Sequence, residues 1–166
     1  FHKDSLIRVP VRLGEDAFID GVISEEKTQM LVKAMISMKH IMEIHKVTAF
    51  KVCATSAMRD AKNSDEILAR VKKEAGLEIQ IISGDREGKT ILGVPLDQIG
   101  LEPNDFYLYI DVGGGSTELG FLGNGKLIAN RSFNIGTLRL LNDQVNDAEW
   151  REMLEWIKAT KNINFE

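Results

Sequence analysis

The chain is expected to be an α/β protein of two lobes with phosphate chemistry between them. Three observations lead there. Apolar strand-like runs alternate with amphipathic helical stretches through the first hundred residues. A segment marked by Pro95, Gly100, Pro103 and Asn104 then interrupts the pattern. Beyond it three strand-like runs follow one another directly, and the first turns into the second through Asp111-Val112-Gly113-Gly114-Gly115-Ser116-Thr117-Glu118. Adjacent glycines let backbone amides approach an anion, because no Cβ stands in the way. Ser116 and Thr117 offer hydroxyl donors, and Asp111 and Glu118 are acceptors suited to a cation or an ordered water.

Taken in order, Ser24 is expected to cap a helix running to about Lys46, with Glu25 and Glu26 at the positive end of its dipole. Leu31, Met35, Met38 and Met42 fall at helical spacing, and the methionines read as flexible core filler. His40 and His45, five apart, do not share a face well enough for a metal pair and read as surface residues. Val47–Ala54 reads as a strand containing Cys53, expected to be a reduced core thiol. Past its end stand Thr55, Ser56 and Arg59, placed where ligands gather at the carboxyl ends of strands. Arg59 can fork onto phosphate oxygens or lie solvated on a helix.

Ser64 is expected to cap the next helix, with Ile67, Leu68, Val71 and Ala75 as its buried stripe and Gly76 ending it. Leu77–Ile82 reads as a short strand. Ser83-Gly84-Asp85-Arg86-Glu87-Gly88 then opens a helix with Glu87 in its first turn, where an acid also complements the helix dipole. After the interruption come strands Phe106–Val112, Glu118–Leu122 and Lys126–Phe133, the last two joined by the Gly123-Asn124-Gly125 turn. A short helix through Leu141 follows, and Asp147 is expected to cap a last helix with Trp150, Met153, Leu154 and Ile157 on one face.

Composition narrows the function classes. Hydrophobic residues at 43% are ample for a core, and a net charge of -4 argues against a dedicated nucleic-acid binder while leaving room for a local anion site. No apolar run approaches the ~20 residues needed to cross a bilayer. No nucleic-acid or membrane partner is therefore expected, and a cytoplasmic protein is the economical reading. The glycine run lacks a Gly-Lys-Ser/Thr and leads into a strand, which excludes a P-loop. Taken alone it also fits an ordinary hairpin turn.

Four segments, in this order, resemble the exopolyphosphatase/guanosine pentaphosphate phosphatase (Ppx/GppA) family. They are Ala54-Thr55-Ser56-Ala57-Met58-Arg59-Asp60-Ala61, Ile82-Ser83-Gly84-Asp85-Arg86-Glu87, Ile110 to Glu118, and Arg131-Ser132-Phe133-Asn134-Ile135-Gly136-Thr137-Leu138-Arg139-Leu140. Val11-Arg12-Leu13-Gly14 resembles the segment before the family's first long helix. The resemblance implies an actin/hexokinase-like (ribonuclease H-like) two-lobed α/β fold, present here in part. Residues 1–103 would be the remainder of the N-terminal lobe, and 104–166 the first part of the second lobe. It implies a phosphohydrolase that releases terminal phosphate from inorganic polyphosphate or guanosine pentaphosphate, with Mg2+, and a homodimer as the full-length protein.

By the same resemblance Glu87 matches the general base that activates water. Asp111 matches the acid linked to the metal, and Glu118 the second acid of the loop, which orders metal or water. Gly113, Gly114, Gly115, Ser116 and Thr117 match the phosphate cradle, with Arg59 near the cleft. This chain departs from the family in having Arg86 before Glu87, a cation expected to lower the carboxyl's pKa. The family's first phosphate loop, Asp-Ile-Gly-Ser-Asn, and a later glycine motif do not occur, so the 166 residues alone are expected to have little or no hydrolase activity. Two other functions remain open: a non-catalytic nucleotide- or polyphosphate-binding regulator of the same fold, and a sugar or acetate kinase, against which the Ile82–Glu87 segment speaks.

Overall fold

The computed structural model describes residues 6–91, 102 and 105–161. Helix α1 (Leu13–Ile19) precedes the long helix α2 (Glu25–Ile44). Ser24 caps α2 as expected, its side chain accepting from the Lys27 amide at 3.4 Å. Strand β1 (Val52–Ala54) runs parallel to β2 (Ile79–Ile81), with α3 (Ser56–Asp60) and α4 (Ser64–Ala75) in the crossover between them. Among the described residues each of these strands pairs only with the other, and both are shorter than their apolar runs. Leu77 and Ile82 lie outside the ladder and are buried all the same.

Asn63, not Ser64, stands at the N-cap of α4. Its side-chain amide clasps the Ile23 backbone, donating to the carbonyl at 2.8 Å and accepting from the amide at 3.0 Å. The predicted stripe of α4 is the buried one: Ile67, Val71 and Ala75 join Phe18, Ile23, Val32 and Met58 in the larger core, with Leu68 packed against it. Met35 and Met42 fill gaps in that core, whereas Met30 is exposed. Ile67 is only 1% exposed. Ile67→Ala should therefore cost about 2–5 kcal/mol, read as a lower urea midpoint at unchanged slope.

Cys53 is exposed, contrary to the core thiol expected. In β1 it points away from the helices while Val52 and Ala54 point toward them, and an apolar run does not reveal that one face is uncovered. The predicted interruption falls largely outside the described residues.

The second half is an antiparallel meander of β3 (Phe106–Val112), β4 (Thr117–Gly123) and β5 (Lys126–Phe133), in that order. Helices α6 (Thr137–Leu141) and α7 (Asp147–Lys161) follow. Asn146 rather than Asp147 caps α7, accepting from the Ala148 and Glu149 amides at 2.8 and 3.2 Å. Glu149 reciprocates by accepting from the Asn146 amide at 2.9 Å, which completes a capping box. Met153, Trp156 and Ile157 pack on Leu119, Phe133 and Ile135. Trp156 lies 5.6 Å from both Phe121 and Phe133, ring centre to ring centre. That seating rotates the helix so that Trp150 and Leu154, expected inside, are exposed.

Helix α7 packs over β4 and β5 on one face of the meander, leaving Leu108, Ile110 and Val112 of β3 exposed. The opposite face receives α5 (Gly84–Ile91), which follows β2 in the first half and packs along β4 and β5. Strand alternation assigns Tyr109 and Asp111 of β3 and Glu118 of β4 to the α5 face. Helix α1 also meets α6, so the halves touch at two places. Among the described residues no helix is long and apolar enough to cross a membrane.

Candidate active site

Glu87 owes its position to two glycines. Ser83 caps α5, accepting from the Arg86 amide at 3.3 Å, and this starts the helix immediately after β2. Gly84 and Gly88, one turn apart, form the face of α5 that meets the sheet. A Cβ on Gly84 would strike the Ser132 side chain, and one on Gly88 would lie 3.1 Å from the Asn130 amide. The helix therefore approaches β4 and β5 closely. Asp85 fixes its register by accepting from the Ser132 amide at 3.1 Å, while its carbonyl accepts from the Asn130 side chain at 2.8 Å.

Arg59 reaches Glu87 from α3. One guanidinium nitrogen donates to the Ile82 carbonyl at 2.6 Å and lies 3.4 Å from the Glu87 carboxylate. Both side chains are about four-fifths buried (23% and 20% exposed), so Arg59 is not a solvated surface residue. The Glu87 carboxyl sits above its ordinary value. Burial is the main cause and the charge on Glu118 the next; the Arg59 hydrogen bond opposes the shift and Asp111 adds to it. The lowering expected from Arg86 is not found. Arg86 is exposed, and a neighbour in sequence projects about 100° away around the helix.

The glycine turn is held from behind. Asp111 and Glu118 are directly paired across β3 and β4, with Val112 and Thr117 the last pair before the turn. The Gly113 carbonyl accepts from the Thr137 amide at 2.9 Å, and the Gly114 carbonyl from the Leu138 amide at 2.9 Å. The Gly115 carbonyl accepts from the Arg139 side chain at 2.7 Å. All three carbonyls thus turn toward α6. Among the described residues, no backbone carbonyl takes the amide N–H of Gly114, Gly115 or Ser116.

The two hydroxyls have internal partners. Thr117 donates to the Ile135 carbonyl at 2.5 Å, and Ser116 to the Glu118 carboxylate at 2.7 Å. Ser132 donates to the same Glu118 oxygen at 2.8 Å. Glu118 is only 4% exposed, so these bonds orient a buried carboxylate. Tyr109 donates to Asp111 at 3.3 Å, and burial together with the Asp111 charge pushes its hydroxyl up, keeping it a donor.

The structure thus brings Glu87, Arg59, Glu118 and Asp111 to one face of the meander, beside the 113–116 turn. Sequence reasoning passed over four residues that shape the site: Ser132, Asp60, Phe18 and Arg139. Ser132, Asp60 and Arg139 lie within segments that resemble the family, and the Lys126–Phe133 strand places Ser132 across from Glu118; Phe18 had no signal.

Residues 5–162 match the model of the Ppx/GppA phosphatase family. The chain is 30% identical over 173 residues to the bifunctional 3-dehydroquinate synthase/phosphatase of Fusobacterium nucleatum, covering 93% of this chain and 26% of that protein. It is 39% identical over 105 residues to the guanosine-5'-triphosphate,3'-diphosphate pyrophosphatase of Aeromonas hydrophila, covering 61% of this chain and 20% of that one. An exopolyphosphatase structure from Cytophaga hutchinsonii superposes with a TM-score of 0.68 at 25% identity, over 90% of this chain and 49% of its own. The chain therefore spans half or less of each of these relatives. With a family match over nearly its whole length, and an α/β fold that superposes on structures of that family, this chain belongs to the Ppx/GppA phosphatase family.

Proposed function

We propose that the intact protein hydrolyses a terminal phosphoanhydride bond of inorganic polyphosphate or guanosine pentaphosphate by attack of water. The observation that carries the reading is the meeting of Glu87, with its raised carboxyl pKa and its Arg59 partner, with Glu118 and Asp111 beside the 113–116 turn, where among the described residues no backbone carbonyl takes the Gly114, Gly115 or Ser116 amide. Phosphoryl transfer needs positioning and charge neutralisation more than covalent help. The amides of Gly114, Gly115 and Ser116 would receive phosphoryl oxygens. Arg59 adds positive charge at the same edge. Glu87 would take the proton of the attacking water, and the upward shift suits a base working near neutral pH. Glu118, oriented by Ser116 and Ser132, would hold that water or a hydrated cation.

The donor set fits Mg2+. Asp111 and Glu118 stand opposite one another, and among the described residues neither has a Lys or Arg ion-pair partner. Among the described residues no three such side chains converge there as a ready cage. Mg2+ needs none, because it commonly takes one or two carboxylates together with substrate phosphates and water. Bound there, it would neutralise charge on the phosphate oxygens.

The test is phosphate release by the intact protein from long-chain polyphosphate and from guanosine pentaphosphate, with and without EDTA. We expect turnover of at least one substrate and its loss with EDTA. Tight binding of both without turnover would favour a non-catalytic regulator instead. Asp111→Asn should raise the Mg2+ concentration for half-maximal rate by about tenfold or more, consistent with the loss of a carboxylate ligand.

A further inference from the structure

We propose that Arg139 is a positioning residue that aims the Ser116 amide into the phosphate site and ties the glycine turn to the helix carrying Arg59. The proposal rests on the functional reading above. It begins from the geometry of the peptide bond. Because the unit is planar and trans, a carbonyl pulled one way points the next residue's N–H the opposite way. The Thr137 amide holds the Gly113 carbonyl and so aims the Gly114 N–H; the Leu138 amide holds the Gly114 carbonyl and aims the Gly115 N–H. The third carbonyl, on Gly115, is held by a side chain, Arg139 Nε at 2.7 Å. The Gly113 carbonyl also accepts from the Thr137 hydroxyl at 3.3 Å but keeps its backbone partner, so among the described residues it is the Ser116 amide whose aim rests on a side chain without a backbone amide beside it.

The same guanidinium forms an ion pair with Asp60 and lies 4.7 Å from the Phe18 ring centre. It is only 15% exposed. Asp60 is the last residue of α3, and its neighbour Arg59 bonds the Ile82 carbonyl and Glu87. Adjacent residues of one short helix therefore grip the two parts of the site. Arg59 grips the base-bearing side, and Asp60, through Arg139, the glycine turn. A guanidinium presents several donors in one rigid plane and serves carbonyl and carboxylate together; a lysine ammonium on a flexible stem does not reproduce that fork.

The experiment uses the intact protein with Arg139→Lys, Arg139→Gln, Asp60→Asn and the double variant Asp60→Asn/Arg139→Gln. Turnover of polyphosphate and hydrogen exchange of the Ser116 amide are both measured. Arg139→Lys and Arg139→Gln should lower kcat by about 10- to 100-fold with KM changed by less than about threefold, the scale for losing or misaiming one transition-state donor. Asp60→Asn should cost less, since the bond to the Gly115 carbonyl remains, and the double variant should be no worse than Arg139→Gln. Protection of the Ser116 amide by bound tripolyphosphate should weaken in the Arg139 variants while the β4–β5 ladder stays protected. Wild-type kcat with unchanged tripolyphosphate protection of Ser116 would overturn the proposal. So would full rescue by lysine with only a lowered Tm, which marks a purely structural charge. If Arg139→Gln does not fold, Arg139→Lys and Asp60→Asn carry the same test. Should the wild type release no phosphate, the functional reading fails separately, and Ser116 exchange with its protection by tripolyphosphate still decides the role of Arg139.

Discussion

Glu87→Gln is expected to lower turnover of the intact protein by about two to four orders of magnitude, the usual contribution of a general base, while polyphosphate affinity changes by only a few fold. Glutamine keeps the shape of the side chain and still accepts from Arg59, so the substitution removes the basic oxygen and little else. The pH profile should carry the same signature. Burial and the charges of Glu118 and Asp111 raise the Glu87 carboxyl above its ordinary 4.5, against the pull of Arg59. A base must be deprotonated, so kcat/KM should fall as pH drops through that raised value, at higher pH than an ordinary carboxylate allows. The stability sign is opposite to that of a salt-bridged acid. The folded state binds this proton more tightly than the unfolded state, so stability falls as pH rises from 4.5 through the raised value. Glu87→Gln removes that cost and should melt no lower than wild type at neutral pH. A variant that is stable yet turns over normally would show that another group takes the proton.

Local chemistry made much of this site legible. The strands over 106–112 and 126–133 announced themselves by apolar runs bounded by turn residues; the glycine turn, which alone fits an ordinary hairpin, stood out by its two flanking carboxylates and its place among the other family-like segments. Glu87 was visible because a strand end, a capping Ser83 and a helical first turn lie within six residues. What escaped were choices between adjacent candidates. Asn63 and Asn146 cap where Ser64 and Asp147 stand next to them, and only the clasp on Ile23 and the reciprocal bond to Glu149 decide. Trp150 and Trp156 are equally apolar, and the position of Phe121 and Phe133 across the sheet selects the second. Arg139 was illegible for a different reason. Its partners, Asp60 and Phe18, lie in the other half of the chain, and an arginine on a short helix does not state what it will meet.

Gly115→Ala should damage both stability and turnover through one added methyl. A Cβ there would overlap the Cζ end of the Phe18 ring, with ring carbons Cε1 and Cε2 at 2.7 and 2.9 Å. The ring has little room to move. Phe18 is 6% exposed, the Arg139 guanidinium covers it, and its carbonyl accepts from the Gln144 side chain. The turn must therefore yield, at about 1–3 kcal/mol for an overpacked methyl. Moving the turn also draws the Gly115 carbonyl from Arg139, so kcat should drop about tenfold or more even in the folded fraction, since a misplaced donor is costly in the transition state. Gly113→Ala is the contrast. Among the described residues its Cβ would meet the Ser116 carbonyl oxygen alone, at 3.3 Å, and it should be the milder variant in both melting and turnover. Phe18→Leu supplies the converse test by making room for the alanine methyl. Alone it should destabilise the core, yet Gly115→Ala/Phe18→Leu should lose less stability than the two single changes added together, because neighbours in contact do not add. Strict additivity in thermal melts, or equal damage at Gly113 and Gly115, would mean that close approach to Phe18 is not what demands a glycine there.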